Sequence, residues 1–286
     1  MKKIIVTGCN GQLGRAINRE YEGSTEYELV NTDVEELDIT DVDAVIRFAG
    51  EINPYAIINC AAYTNVDKCE TDADNAYRIN AIGPRNLAIA ASECGAKLVH
   101  VSTDYVFGGD GSRPYTEFDT PAPKSMYGIT KLAGEEFVKN FTSKYFIVRT
   151  AWLYGEGKNF VKTMLRLSEN NGEVNVVMDQ IGSPTSAAQL AGAIASLLPT
   201  SNYGTFHGTC EGVCSWADFT EEIFRLTGRE CKVNRITSGQ YKTMFPQSAD
   251  RPAYSVLDNY MLRLTSGYRF ADWKDAIAAY VRDFIE

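Results

Sequence analysis

The chain has 286 residues, 44% hydrophobic, 11% aromatic and 23% charged, a composition that excludes a disordered, collagen-like or disulfide-stapled protein. At roughly 150 residues per domain, the length allows one large domain or two modest ones. With 28 basic against 37 acidic side chains the net charge is -9, which disfavours generic attraction to nucleic acid or an anionic membrane, so an anionic ligand needs a locally positive pocket.

The opening string, MKKIIVTG, carries two lysines but only Ile4 to Val6 as an apolar stretch before Thr7 and Gly8 interrupt it, which predicts no export signal and a cytoplasmic protein. The apolar run at 187–198 is broken by Gln189 and Gly192 and falls short of the roughly 20 residues that cross a bilayer, so no membrane partner is expected. Strands are predicted at 3–6, 28–31, 56–60, 97–102 and 145–148, short apolar runs followed by polar or glycine-bearing turns. Helices are predicted between them at 12–21, 41–49, 72–94 and 126–140, where apolar residues recur three and four apart. This is the alternation of βαβ units around a parallel sheet. After about Trp152 it loosens into a helix at 160–168, a valine-rich run at 174–178 and helices near Ala187 and Trp216. A second, smaller lobe is expected there, with no linker or repeat dividing it from the first and a cleft between the two.

Thr7-Gly8-Cys9-Asn10-Gly11-Gln12-Leu13-Gly14 follows the first strand directly and leads into the first helix, so backbone N–H groups can approach a phosphate at the helix N-terminus. The spacing is GxxGxxG, for which a ligand-free structural turn is the plain alternative; the strand–turn–helix context favours the phosphate seat. Asp33, just past the second strand, can accept hydrogen bonds from the hydroxyls of an adenosine ribose and disfavours a 2′-phosphate. No Lys or Arg lies within 9–13 or beside Asp33, which favours NADH over NADPH, although Arg15 stands near enough to meet a phosphate. A solvated turn carboxylate, among neighbours Glu35, Glu36 and Asp38, is the other reading of Asp33.

Tyr127 and Lys131 stand four apart in YGITKLAGEEFVK, which reads as helical and places phenol and ammonium on one face. Reducing a ketone requires a proton for the developing alkoxide, and a cation that stabilises the phenolate makes tyrosine a better acid near neutrality. Thr103, at the C-terminal end of a predicted strand, can hydrogen-bond the same carbonyl oxygen. A second YxxxK match, Tyr154 and Lys158, contains Gly155 and Gly157, makes a poor helix and reads as coincidence. The seven cysteines lack CxxC spacing, and with only His100 and His207 as further soft ligands they read as reduced structural thiols.

TGxxGxxG at 7–14, AAY at 61–63, STDYVF at 102–107 and YxxxK at 127–131 together resemble the extended short-chain dehydrogenase/reductases over nearly the whole chain. Longer strings, AAYTNVDKCE, STDYVFGGDG, YGITKLAGE, RTAWLYG and NFVKTMLRL, resemble the dTDP-4-dehydrorhamnose reductases within that group. The resemblance implies a Rossmann-like, doubly wound α/β fold, with an NAD(P)-binding domain at 1–151 and a mainly substrate-binding lobe at 152–286 whose segments return to the first domain. It implies catalysis by Thr103, Tyr127 and Lys131, and cofactor contacts from Gly8, Asn10, Gly11, Gln12, Leu13, Gly14, Asp33, Asp38, Ile39, Ala61, Ala62 and Tyr63, joined by Tyr127 and Lys131. A nucleotide-sugar substrate would meet Thr103, Asp104 and Trp152, with Thr64 and Tyr105 nearby. Aromatic faces such as Trp152 and Tyr105 suit a deoxysugar, ordinary core packing being the alternative. Arg251, in DRPAYSVLD, resembles a family Arg-Pro-x-x-Ser segment and can neutralise diphosphate charge.

Related dehydratases follow the catalytic threonine with an Asp-Glu pair, whereas Asp104 is followed by Tyr105, so elimination of water lacks its base. Another sugar-nucleotide reductase or epimerase, and a non-catalytic subunit resembling the methionine adenosyltransferase β subunit, are the other readings. A homodimer is a family-level expectation. No metal is expected, because Ala16 and Gln189 occupy the positions where related reductases carry acidic residues.

Overall fold

The central strands are apolar on both faces, as a sheet covered by helices on each side requires. In the computed structural model, which describes residues 1–285, the first half runs β1 (Lys2–Thr7), α1 (Gln12–Glu20), β2 (Tyr27–Thr32), α2 (Val42–Ile52), β3 (Ala56–Asn59), α3 (Val66–Thr71), α4 (Ala73–Tyr77), a π-turn at Arg78–Ile82, α5 (Gly83–Glu93) and β4 (Lys97–Thr103). A 3-10 turn at Asp104–Val106 and a long loop precede α6 (Met126–Phe141) and β5 (Tyr145–Thr150). The second half continues through β6 (Leu153–Tyr154), α7 (Phe160–Asn170), β7 (Glu173–Val177), β8 (Ile181–Gly182), β9 (Thr185–Ser186), α8 (Ala187–Leu197), β10 (Gly204–His207), β11 (Cys214–Ser215), α9 (Trp216–Leu226), β12 (Lys232–Ile236), α10 (Ser238–Met244), α11 (Tyr260–Thr265) and α12 (Trp273–Phe284).

Six strands form one parallel sheet in the order β10-β5-β4-β3-β1-β2. The chain winds from β1 outward to β2, then returns past β1 to β3, so the winding reverses between β1 and β3 and opens a crevice at their C-terminal ends. Ile4, Val6, Ile58, Val99 and Val148 bury one face of the sheet in a cluster with Ile17 of α1 and Leu190 and Ile194 of α8. Ile5, Ile57, Leu98 and Ile147 bury the other, with Leu87 and Ala91 of α5 and Val138 of α6. Truncating such a side chain to alanine costs roughly 2–5 kcal/mol.

β10, from the second half, completes the sheet beside β5. Three two-stranded pairs, β7 with β12, β8 with β11 and β6 with β9, build the rest of that half. Phe219 of α9 and Ile277 and Tyr280 of α12 share one apolar cluster with Ile4 and Ile17, so the two halves have a common core. Among the described residues no helix is long and apolar enough to cross a membrane.

The single helix expected at 72–94 is instead α4, the π-turn and α5. Pro84 has no N–H, and its ring collides with the carbonyl four residues back, that of Asn80, so the chain widens by a residue at this point. The freed segment is put to use: Asn80 Oδ1 accepts from Tyr63 N at 2.8 Å and its Nδ2 donates to Tyr63 O at 3.1 Å, fixing the loop after β3.

Candidate active site

The crevice at the ends of β1 and β3 is shaped by a backbone that only glycine permits. Gly8 has φ +64°, and a Cβ on it would lie 2.8 Å from Ala61 N. Gly14 is equally confined, a Cβ meeting Gly8 O at 2.4 Å. Beneath the loop, Asn59 Oδ1 accepts from Thr7 Oγ1 at 2.8 Å and Ala61 N at 3.1 Å, and its Nδ2 donates to His100 Nδ1 at 3.1 Å, tying the ends of β1 and β3 to the middle of β4. Gly11 is the N-cap of α1 and offers no side chain to its first turn, so the N–H groups there are open to an anion. The residues present thus fit a dinucleotide pyrophosphate.

From this loop a cavity of about 630 Å³ runs over Gly8, Gly11, Asp33, Asp38, Ile39, Ala61 and Ala62. Asp33 accepts from Asn10 N at 3.1 Å, which fixes its carboxylate at the edge of β2. A second cavity of about 880 Å³ adjoins it, sharing Gly11, Cys60 and Ala62 and extending over Asn10, Gln12, Leu13, Thr64, Thr103, Asp104, Tyr105, Tyr127, Lys131, Trp152 and Arg251. Two of the sequence candidates line neither cavity. Gly14 is packed under the loop, and Tyr63 turns its hydroxyl to Asp72 Oδ2 at 3.2 Å.

Ser125 caps α6, its hydroxyl accepting from Gly128 N at 3.2 Å, and this start places Tyr127 in the first turn beside the end of β4. The helix can approach so closely because Gly128 and Gly134 lack side chains; a Cβ on either would lie 2.2 Å from Tyr105 O or Asn80 O. Burial holds the Tyr127 phenol well above its ordinary pKa, while the adjoining Thr103 hydroxyl acts the other way. Lys131 is 2% exposed and donates from Nζ to Val101 O at 2.6 Å. Burial pushes its pKa down to about 8, opposed by Glu135 and Cys60. Asp104, also buried, is pushed up to about 7 by desolvation, opposed by the Thr103 hydroxyl on Oδ1, and its Oδ2 is buried with no partner.

The opposite wall is aromatic. Trp152 stacks on Trp216 with ring centroids 3.6 Å apart and 6° between planes, and Phe160 leans on Trp216 at 4.4 Å. Trp152 has φ +50°, rare for so bulky a residue, and its indole occupies the space that a Cβ on Gly182 would fill, at 2.5 Å. Trp216, Phe160 and Lys158 also line this cavity; the first two were not singled out by the sequence, and Lys158 only as half of the coincidental YxxxK match. They come from the starts of α9 and α7 and the loop before α7, so only the tertiary fold brings them to Trp152. The second YxxxK pair is split by the fold: Tyr154 is 1% exposed in the core, while Lys158 reaches the cavity without it. Arg251 lies beside Tyr105 and meets Asp67 only at 3.4 Å. The cysteines are all unpaired thiols, and among the described residues no group of three or more His, Cys, Asp and Glu could hold a metal.

The chain matches the family described as RmlD substrate binding domain over residues 1–285. A dTDP-4-dehydrorhamnose reductase of Clostridium acetobutylicum superposes with a TM-score of 0.96 at 53% identity, covering 99% of this chain and 100% of that one. A dTDP-4-dehydrorhamnose reductase of Bacillus anthracis, solved in complex with NADP, superposes with a TM-score of 0.94 at 45% identity, again covering 99% and 100%. The spore coat polysaccharide biosynthesis protein SpsK of Bacillus subtilis is 39% identical, covering 99% of this chain and 98% of that protein. The protein therefore belongs to the RmlD substrate binding domain family.

Proposed function

We propose that the protein reduces the 4-keto group of dTDP-4-dehydro-L-rhamnose to the alcohol of dTDP-L-rhamnose, using NAD(P)H. The observation that carries this reading is the convergence of Thr103, Tyr127 and Lys131 on one wall of a cavity continuous with the glycine-loop crevice. The reduced nicotinamide, when bound, supplies a hydride to C4 of the sugar. Tyr127 gives its phenolic proton to the keto oxygen, Lys131 stabilises the phenolate left behind, and Thr103 orients the oxygen. Asp104, which lines the same cavity, accepts from a sugar hydroxyl. The Trp152–Trp216 stack faces the deoxysugar ring, and Arg251 and Lys158 meet the diphosphate. Residues 1–151 then bind chiefly the cofactor and residues 152–286 chiefly the sugar nucleotide.

Between the two cofactors, the Asp33 carboxylate in the crevice favours a free 2′-hydroxyl and hence NADH. Arg15 and Arg19, the nearest cations on α1, are held by Glu156 at 2.8 and 2.5 Å. The B. anthracis relative holds NADP, so both forms belong in the test. A homodimer in the cytoplasm completes the proposal, the dimer being checked by sedimentation.

The test follows absorbance of NADH, then NADPH, with dTDP-4-dehydro-L-rhamnose generated in place by the epimerase that precedes it, and an enzyme-free control. Oxidation dependent on this protein, with dTDP-L-rhamnose as product, is expected. Cofactor binding without oxidation of either form in the presence of confirmed substrate would overturn the reading.

A further inference from the structure

Three residues spaced four apart on α6 meet three consecutive residues at the end of β4. Tyr127 lies against Thr103, Lys131 donates to Val101 O at 2.6 Å, and Glu135 Oε1 accepts from Ser102 Oγ at 2.6 Å. The first two belong to the reaction just described. The third is 0% exposed, lines neither cavity and has no place in that mechanism.

Glu135 is held from a third element as well. Arg149 of β5 donates from Nε to Oε1 at 2.9 Å and from Nη2 to Oε2 at 2.6 Å, a two-pronged pair with side chains 3% and 0% exposed. The guanidinium lies over the Phe107 ring at 5.2 Å. Buried pairs of this kind are poor stabilisers, because desolvating two ions offsets most of their attraction, and an apolar pair of equal volume serves the core as well. Their distinctive property is a fixed charge in a fixed place. Here a carboxylate is fixed one helical turn from the only buried ammonium in the cavity wall, among the described residues.

Of the other groups around that ammonium, three supply no negative charge and the fourth, Asp104, is bonded to Thr103. Cys60, after β3, is held as a thiol by burial; His100 of β4 is held neutral by burial and by Lys131 itself. Tyr127, on α6, is held protonated by burial. Asp104 caps the end of β4 and is turned to Thr103. Facing Glu135 itself are Ser102, Lys131 and Arg149, with His207 of β10 behind Arg149 and pushed down to about 3 by burial and that guanidinium.

We propose that Glu135 is a positioning residue for the reaction: its carboxylate keeps the Lys131 ammonium charged and, through Ser102 and Arg149, fixes the register of α6 on β4. The inference rests on the reductase reading for its purpose, but its physical content is read without turnover. Lysine ε-carbons are labelled with 13C, the Lys131 signal is assigned by its loss in Lys131→Met, and its titration is followed in wild type, Glu135→Gln, Glu135→Asp and the double variant Glu135→Gln/Arg149→Met. Glu135→Gln is expected to lower the midpoint by about one pH unit, since a nearby opposite charge is worth one unit or more. Glu135→Asp keeps the charge and the midpoint. The double variant removes the unpaired guanidinium too, folds without a buried lone ion and shows a smaller downward shift. In the oxidation assay the alkaline limb of kcat/KM moves down with the midpoint in Glu135→Gln, whereas a purely structural role lowers activity by one factor at every pH. A Lys131 midpoint unmoved in whichever of the two Gln-bearing proteins folds would overturn the proposal, even if the reductase activity stands. A moved midpoint in a protein without that activity would uphold it and count against the reductase reading alone.

Discussion

The Thr103 hydroxyl donates to Asp104 Oδ1 at 2.9 Å and accepts from Tyr105 N at 3.2 Å. A threonine has one proton to give, so while Asp104 is ionised that proton is turned from a keto oxygen in the cavity. Protonating Asp104 reverses the bond and releases it.

Asp104 also ties stability to pH. Burial raises its folded pKa to about 7, so the folded chain holds this proton more tightly than the unfolded chain. The sign follows: the contribution is present below the unfolded value and is lost as pH rises through the folded one, roughly 2–3 kcal/mol between pH 5 and 7. Asp104→Asn should lose less stability over that interval than wild type when urea midpoints are compared at pH 5 and 8. Parallel losses in the two proteins would contradict the assignment.

Tyr127→Phe should lower kcat by roughly 10²- to 10⁴-fold, the range for removing a general acid. Cofactor Kd, from quenching of protein fluorescence, should stay within about threefold. Turnover near that of wild type would mean that the proton comes from elsewhere.

Trp216 has no motif around it, yet it backs Trp152. An aromatic pair of this kind is worth about 0.5–1.5 kcal/mol beyond its buried area. Trp216→Ala should therefore raise the sugar-nucleotide KM about 2- to 12-fold and leave cofactor affinity alone. A change in cofactor affinity with KM constant would place the stack outside the sugar site.

Glu156 engages Arg15 and Arg19 across the crevice, with its side chain 32% exposed. Exposed pairs are worth about 0–1 kcal/mol, which limits the effect of releasing them. Glu156→Gln should improve the NADPH to NADH ratio of kcat/KM by up to about fivefold. A shift toward NADH would show that these arginines do not face the 2′-position.

The sheet was legible because its strands are short apolar runs ended by turns: the expected 3–6 and 145–148 appear as Lys2–Thr7 and Tyr145–Thr150. The Gly8 loop and the i, i+4 spacing of Tyr127 and Lys131 were legible for the same local reason. β10 was missed because GTFH has only four residues and pairs with a strand from the other half of the chain. Glu135 stood four residues past Lys131 in plain view, but its burial depends on Arg149 from another element, and periodicity carries no such pairing. Trp216, at the start of α9, and Lys158, in the loop before α7, reach the cavity through tertiary packing that no propensity dictates.

The central claim is hydride delivery to C4 beside Tyr127, and deuterium tests it most directly. The protein is given NADH or NADPH deuterated at C4 of the nicotinamide, on each face in turn, with dTDP-4-dehydro-L-rhamnose, and the product is read by proton NMR. The account predicts loss of the H4 signal of dTDP-L-rhamnose with one face of the cofactor and its retention with the other. Product that forms with H4 retained from both faces would contradict direct transfer, and with it the mechanism assigned to Thr103, Tyr127 and Lys131.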